Sequence, residues 1–264
     1  MKIALGVEYA GEHFCGWQTQ QTGVRTVQTC VEQALSNVAN HEVKTVCAGR
    51  TDTGVHAMQQ IIHVDVKVER PLKAWVWGTN ANLPKDVRVL WAKVVDDAFH
   101  ARFSATARHY RYLIFNRSMR SALLNHKVTW VHKALDTDRM QQAGNFLIGT
   151  HDFTSYRATA CQAKSPIRTV THLQISPLNQ WIVIDVSANG FLHHMVRNIV
   201  GVLIHIGAGD KPINWSQEVL EARDRKLGGI TAPASGLYLR DIDYPEPYTF
   251  PKVDNDFPLS IFSL

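Results

Sequence analysis

Gly49-Arg50-Thr51-Asp52-Thr53-Gly54-Val55-His56 is the stretch on which the reading of this 264-residue chain turns. It follows a strand-like run, Val43 to Cys47, and sets one carboxylate between two glycines. Glycine permits backbone dihedrals closed to other residues and lets another molecule come close to the chain. In an extended segment residues two apart point the same way, so Arg50 and Asp52 are expected to face one pocket. A polar hairpin turn is the plainer alternative, since Gly and Asp are common turn residues.

On either side of this stretch the pattern is that of an α+β module. Residues 2–9 read as a strand, and Ala10 to Val24, rich in Gly, Gln and Thr, as a loop. Val27, Val31, Leu35 and Val38 recur at helical spacing behind Thr26, a suitable N-cap. Gln60 to Val68 continues as a strand, so the Asp52 loop is expected to join two strands. Pro71 to Asn80 reads as a helix and Val87 to Val95 as a strand. A change of character near Ser104 to Ala107 suggests two similar subdomains, 1–104 and 105–264, with mixed or antiparallel sheets flanked by helices around a basic central cleft.

The second half opens with a strand at His109 to Phe115. A helix follows from Asp138 to Ile148, capped by Asp136 or Thr137 and ended by Gly149. Trp181 to Val186 reads as a strand, Phe191 to Ile206 and Trp215 to Lys226 as helices, and Gly236 to Tyr244 as a closing strand. A proline-rich tail, Pro245 to Pro258, is expected to run over the surface.

Apolar content of 45% and charged content of 19% are those of a globular protein. No apolar run is long enough to cross a bilayer, and the N-terminus lacks a signal peptide's layout, so a cytoplasmic protein is expected. The four cysteines are far apart and form no C-x-x-C pair, which argues against a zinc ribbon or a redox dithiol. His193-His194 raises the question of a metal. On a helix adjacent side chains diverge by about 100°, so no metal and no cofactor are expected.

A net charge of +5 and a pI near 9.0 suit a polyanionic partner. Arg102, Arg108, Arg111, Arg117 and Arg120 are interleaved with Phe103, Tyr110, Tyr112 and Phe115. Cations beside aromatic faces are what contact with unstacked RNA requires, although an exposed strand with a solvated edge reads the same way. The helix from Phe191 to Ile206 is apolar on most sides and should be largely buried. Arg197 lies within it and cannot shed its charge, so a carboxylate is expected beside it. Asp52 is the leading candidate, with Asp185 or Asp152 as architectural alternatives. His193, four residues before Arg197, should share its helix face.

Four blocks carry a resemblance. GRTDTGVHA (Gly49 to Ala57), HARFSATARHYRYLIFN (His100 to Asn116), NGFLHHMVRNIVG (Asn189 to Gly201) and TAPASGLYL (Thr231 to Leu239) resemble, in order, the signatures of TruA-type tRNA pseudouridine synthases. Thr53 stands where alanine is usual, and Gln59 where glycine is common. The resemblance implies that Asp52 is the essential aspartate and that Tyr110 is the active-site tyrosine, its ring stacked on a flipped uracil. It further implies uridines 38 to 40 of the tRNA anticodon stem-loop as substrate, and a homodimer. Arg50, His56, His193 and Arg197 are then candidate contacts to the RNA. An RNA-binding module without catalysis would leave the glycine-flanked Asp52 unexplained. A hydrolase acting on a glycosidic bond would ordinarily need a second carboxyl group, and the motif holds none.

Overall fold

The computed structural model of the chain describes residues 1–20 and 23–252. They form two compact units, Met1–Thr106 together with the chain from Tyr238 on, and Ala107–Leu237. The division expected at 1–104 and 105–264 is corrected at its far end. The closing strand β10 (Leu237–Asp243) pairs parallel with β3 (His56–Asp65), Tyr238 opposite His56 and Leu239 opposite Ala57. A strand's partner is a long-range choice, and nothing local in the sequence announces it.

The first unit is built on β1 (Lys2–Tyr9), which lies antiparallel between β3 and β4 (Val87–Val95). The other edge of β3 takes β2 (Thr45–Cys47), with Val46 opposite His63 and Cys47 opposite Ile62. Strand β3 starts at His56 rather than Gln60, because His56 and Ala57 pair with β10, and the two glutamines that follow are buried with their amides bonded. Gln59 accepts from Trp91 Nε1 (2.8 Å) and donates to Asp241 Oδ1 (3.1 Å), while the Gln60 amide donates to the Gly49 carbonyl. Helix α1 (Val27–Ala39) begins where expected, the Thr26 hydroxyl accepting the Thr29 N–H. It packs on α2 (Leu72–Asn82), and Val27, Val31 and Leu35 enter the core. Beyond β10 the chain is clamped rather than merely laid over the surface. Tyr244, Tyr248 and Phe250 surround Phe99, and Phe250 stacks on Trp91 at 5.0 Å. The rest of the expected tail, 253–258, lies outside the described residues.

In the second unit β5 (Ala107–Asn116), β9 (Trp181–Ala188), β8 (Ile167–Leu178) and β7 (Gly149–Asp152) form an antiparallel sheet in that order. The short β6 (Thr129–Val131) runs parallel to β5. Strand β8 was not expected. Much of its surface is open to solvent, which leaves its apolar alternation weak. Helix α3 (Thr137–Asn145) is capped by Asp136, whose side chain accepts the Arg139 N–H at 3.0 Å. It packs against β8 and α4 (Met195–Gly207), and α5 (Trp215–Ala222) lies on α3 and α4. Helices against mixed and antiparallel sheets make this an α+β chain, as expected. Among the described residues no helix is long and apolar enough to cross a membrane.

Candidate active site

The Asp52 loop leaves β2 at Cys47 and enters β3 at His56. Its core is a β-turn in which Val55 N–H donates to Asp52 O at 3.1 Å. Gly54 supplies φ +79°, the positive value that a type II turn needs at its third residue. The turn reading and the functional reading are therefore compatible. Gly49 does not need its freedom in this way, since its φ is not positive and an added Cβ would meet nothing within 4 Å. Thr51 is buried, whereas Arg50 is exposed and Asp52 half-buried. That alternation fits side chains two apart sharing a direction.

Thr51 is the loop's anchor. Its hydroxyl meets Tyr9 Oη at 2.7 Å, and its carbonyl accepts the Trp17 N–H at 3.1 Å. A second strut runs through Gly11, whose N–H donates to His56 Nδ1 at 3.0 Å. His56 stacks on Tyr238 with ring centroids 4.6 Å apart, and only 2% of its surface is exposed. The expectation that His56 contacts the RNA is thus corrected. A buried imidazole accepting a backbone N–H holds the loop and offers nothing to solvent. Tyr9, Gly11 and Tyr238 escaped the sequence reading because only their positions in space tie them to Asp52, while Thr51, its neighbour in sequence, was read only as part of the motif. The flanking block ending in Leu239 was the one hint.

In the second unit Tyr110 sits on β5 opposite Val186, 9% exposed, its ring edge-on to Phe191 at 5.0 Å. Tyr112, on the same face, is fully buried and donates to the Pro233 carbonyl at 2.8 Å, and burial raises its pKa. Tyr110 is the tyrosine of the pair that retains an open margin.

Three expectations about the helical block change. Helix α4 starts at Met195, four residues later than Phe191, because His194 adopts left-handed dihedrals (φ 62°) at the cap. His193 therefore lies before the helix, exposed, and does not share a helix face with Arg197. The histidine rings are 4.0 Å apart, so the divergence expected of helical neighbours does not apply to them. Arg197 is half-buried rather than enclosed. Its Nε donates to the Ala232 carbonyl at 2.8 Å, and its own carbonyl accepts the Ala232 N–H. Of the two acids considered as its partners within this unit, Asp185 binds Arg111 through both oxygens (2.8 and 2.9 Å), and Asp152 lies 3.7 Å from Arg223.

The arginine series does not form one patch. Arg111 is 6% exposed and committed to Asp185. Arg108, near the start of β5, donates to the Asn189 carbonyl, while Arg117 and Arg120 lie past its end over Phe115 and Trp130. Nine residues of strand separate Arg108 from Arg117 by roughly 30 Å. Arg102 belongs to the first unit, in the turn His100–Ser104. At the end of β2 burial pushes the Cys47 thiol up to about 12, against the opposing pull of Arg50 and Arg102.

The chain is similar over nearly its whole length to known proteins. The family described as tRNA pseudouridine synthase matches residues 6–104 and 143–245. A tRNA pseudouridine synthase A of Pseudomonas aeruginosa is 56% identical over 251 residues, covering 95% of this chain and 88% of that one. The protein of that name from Nitrosococcus oceani is 56% identical over 253 residues (96% and 97%), and that from Vibrio atlanticus 54% over 252 (96% and 95%).

Proposed function

Since this chain belongs to the tRNA pseudouridine synthase family, we propose that its target uridines lie at positions 38 to 40 of the tRNA anticodon stem-loop. The reaction is an isomerisation of tRNA uridine to pseudouridine. The C1′–N1 bond breaks, the uracil turns, and a C1′–C5 bond forms. The proton on C5 leaves and N1 gains one, so atoms and charge balance with no redox change.

Asp52 is the catalytic carboxylate. The observation that carries this assignment is its setting: half-buried, on a turn closed by Val55 and anchored by Thr51 on Tyr9. A group held this firmly meets a reacting atom without further ordering, which is worth several kcal/mol of barrier. Extrusion of the uridine costs a few kcal/mol, offset by stacking and phosphate contacts. Tyr110 offers its ring margin to the flipped base. Arg50 and His193, both exposed, and the half-buried Arg197 bind the RNA. His56 keeps the loop in place. The chemistry calls for no cofactor or metal, and the protein works as a cytoplasmic homodimer.

Asp52→Asn tests the assignment. With unmodified tRNA it should bind as wild type and melt as wild type but form no pseudouridine, read by mass spectrometry with mapping of the modified nucleotide. Turnover by the folded variant would refute the role of Asp52. Product outside the anticodon stem-loop in wild type would refute the substrate site.

A further inference from the structure

The turn from His100 to Ser104 plays no part in the assignment so far, yet it is among the most firmly built features of the first unit. Ser104 N–H donates to the His100 carbonyl (2.9 Å), and the Ser104 hydroxyl accepts the His100 N–H (3.0 Å). His100 Nδ1 faces the N–H groups of Arg102 and Phe103 at 3.2 and 3.1 Å. Ala101 is pinned from both sides, its N–H on His63 Nδ1 (3.0 Å) and its carbonyl on Tyr244 Oη (2.7 Å). His63 packs against His100, with ring centroids 4.9 Å apart.

This mount holds a phenylalanine out in solvent. Phe103 is 77% exposed, one face stacked on His100 at 4.3 Å and 25°. The Arg102 guanidinium lies 5.6 Å from its centroid. A single exposed apolar side chain is ordinary. A rigidly seated one, with a cation beside it, has the makings of a base-stacking platform. Its place matters as much. His63 sits opposite Val46 on β2, and the Asp52 loop begins two residues further on, about 7 Å along the strand. From Ala98 to Leu135 the chain contains no Asp or Glu, so no carboxylate of this stretch repels a phosphate.

We infer that Phe103 stacks on a base flanking the uridine being isomerised, with Arg102 on the adjoining phosphate. The inference rests on the proposed function and adds a contact to it. The platform is sequence-tolerant, since every base has a π-face. It therefore suits an enzyme that must hold different anticodon arms in one register.

Single-turnover kinetics on unmodified tRNA, with enzyme below saturation, test it through three substitutions. Phe103→Ala should lower kcat/KM by about 5- to 150-fold. Phe103→Tyr keeps the ring and should stay near wild type. Phe103→Leu keeps apolar bulk without a π-face and should fall with alanine. Melting temperatures should hardly move, given the exposure of the ring. With p-benzoylphenylalanine at position 103, irradiation should crosslink a nucleotide flanking the modified uridine. Wild-type kinetics in Phe103→Ala, full activity in Phe103→Leu, or a crosslink elsewhere on the tRNA would each overturn the inference. A wild-type protein that makes no pseudouridine in the anticodon arm would instead sink the proposed function.

Discussion

Gly11→Ala should slow the chemical step while leaving the fold and tRNA binding largely intact. The added methyl carbon would lie 2.0 Å from the Val55 carbonyl oxygen and 2.5 Å from its carbon, where ordinary contact begins at 3.4 Å. Relief therefore requires about 1.4 Å of separation, with overpacking costs of about 1–3 kcal/mol. Neither side yields freely. The Gly11 N–H is held by His56, Gly54 N–H donates to the Phe14 carbonyl at 3.3 Å, and Val55 N–H closes the Asp52 turn. Shared equally, the shift moves the loop by about 0.7 Å. Since a 1 Å misplacement of a reacting group costs about 100-fold, the expected loss is on the order of 10- to 100-fold, or about 1.4–2.7 kcal/mol of barrier. Single-turnover rates at saturating enzyme isolate this step, and a thermal melt tracks the fold. A folded Gly11→Ala protein with the wild-type rate would refute the claim that this backbone contact places Asp52.

Other expectations follow from the same geometry. Tyr110→Phe keeps the ring and should bind tRNA normally; if the hydroxyl helps remove the C5 proton, the variant stalls after the new C–C bond forms, whereas a wild-type single-turnover rate would leave Tyr110 as a stacking surface. Arg111→Ala strands Asp185 and should cost about 3 kcal/mol of stability with no change in the salt dependence of binding. Arg120→Ala should do the reverse, lowering the slope of log K against log salt by about one unit with an unchanged melt. Equal slopes for both variants would show that Arg120 touches no phosphate. Burial, aided by His100 and Lys2, lowers His63 from 6.5 to about 4. The unfolded chain takes up this proton first, so the stability is full above about pH 6.5 and is lost as pH falls towards about 4. His63→Gln should flatten that limb of the melting-temperature profile; an identical profile would remove His63 as its cause.

Local chemistry made much of this molecule legible. The apolar runs of β1 and β4, the Thr26 cap and the Asp136 cap are all decided within a few residues, and each reading held. The Gly54 turn was legible for the same reason. Legibility failed where the deciding partner is far away in sequence. Residues 56–59 look like the end of a loop until β10 pairs with their start and Trp91 and Asp241 satisfy the Gln59 amide. Arg111 looks like a phosphate contact until Asp185 binds its Nε and one terminal nitrogen in a bidentate pair. The start of α4 was misplaced because apolar periodicity runs on through residues 191–194, while the left-handed His194 breaks the backbone. His56 was misjudged because proximity to Asp52 in sequence suggested chemistry, and burial assigned it support.

The return of β10 to β3 has a consequence for how the protein is made. Gln59 and its partner Asp241 are 182 positions apart, and the whole of the second unit is synthesised between them. Domains ordinarily finish folding in the order in which they leave the ribosome. Here the first unit waits: until Tyr238 emerges, His56 lacks its stacking partner and β3 lacks its parallel neighbour. The nascent chain thus carries Asp52 early but does not complete the support of its loop until translation has passed residue 238. Translation that stops short of that point would leave a fragment with every motif of the first half, whose Asp52 loop keeps its anchor on Tyr9 but has no Tyr238 ring against His56.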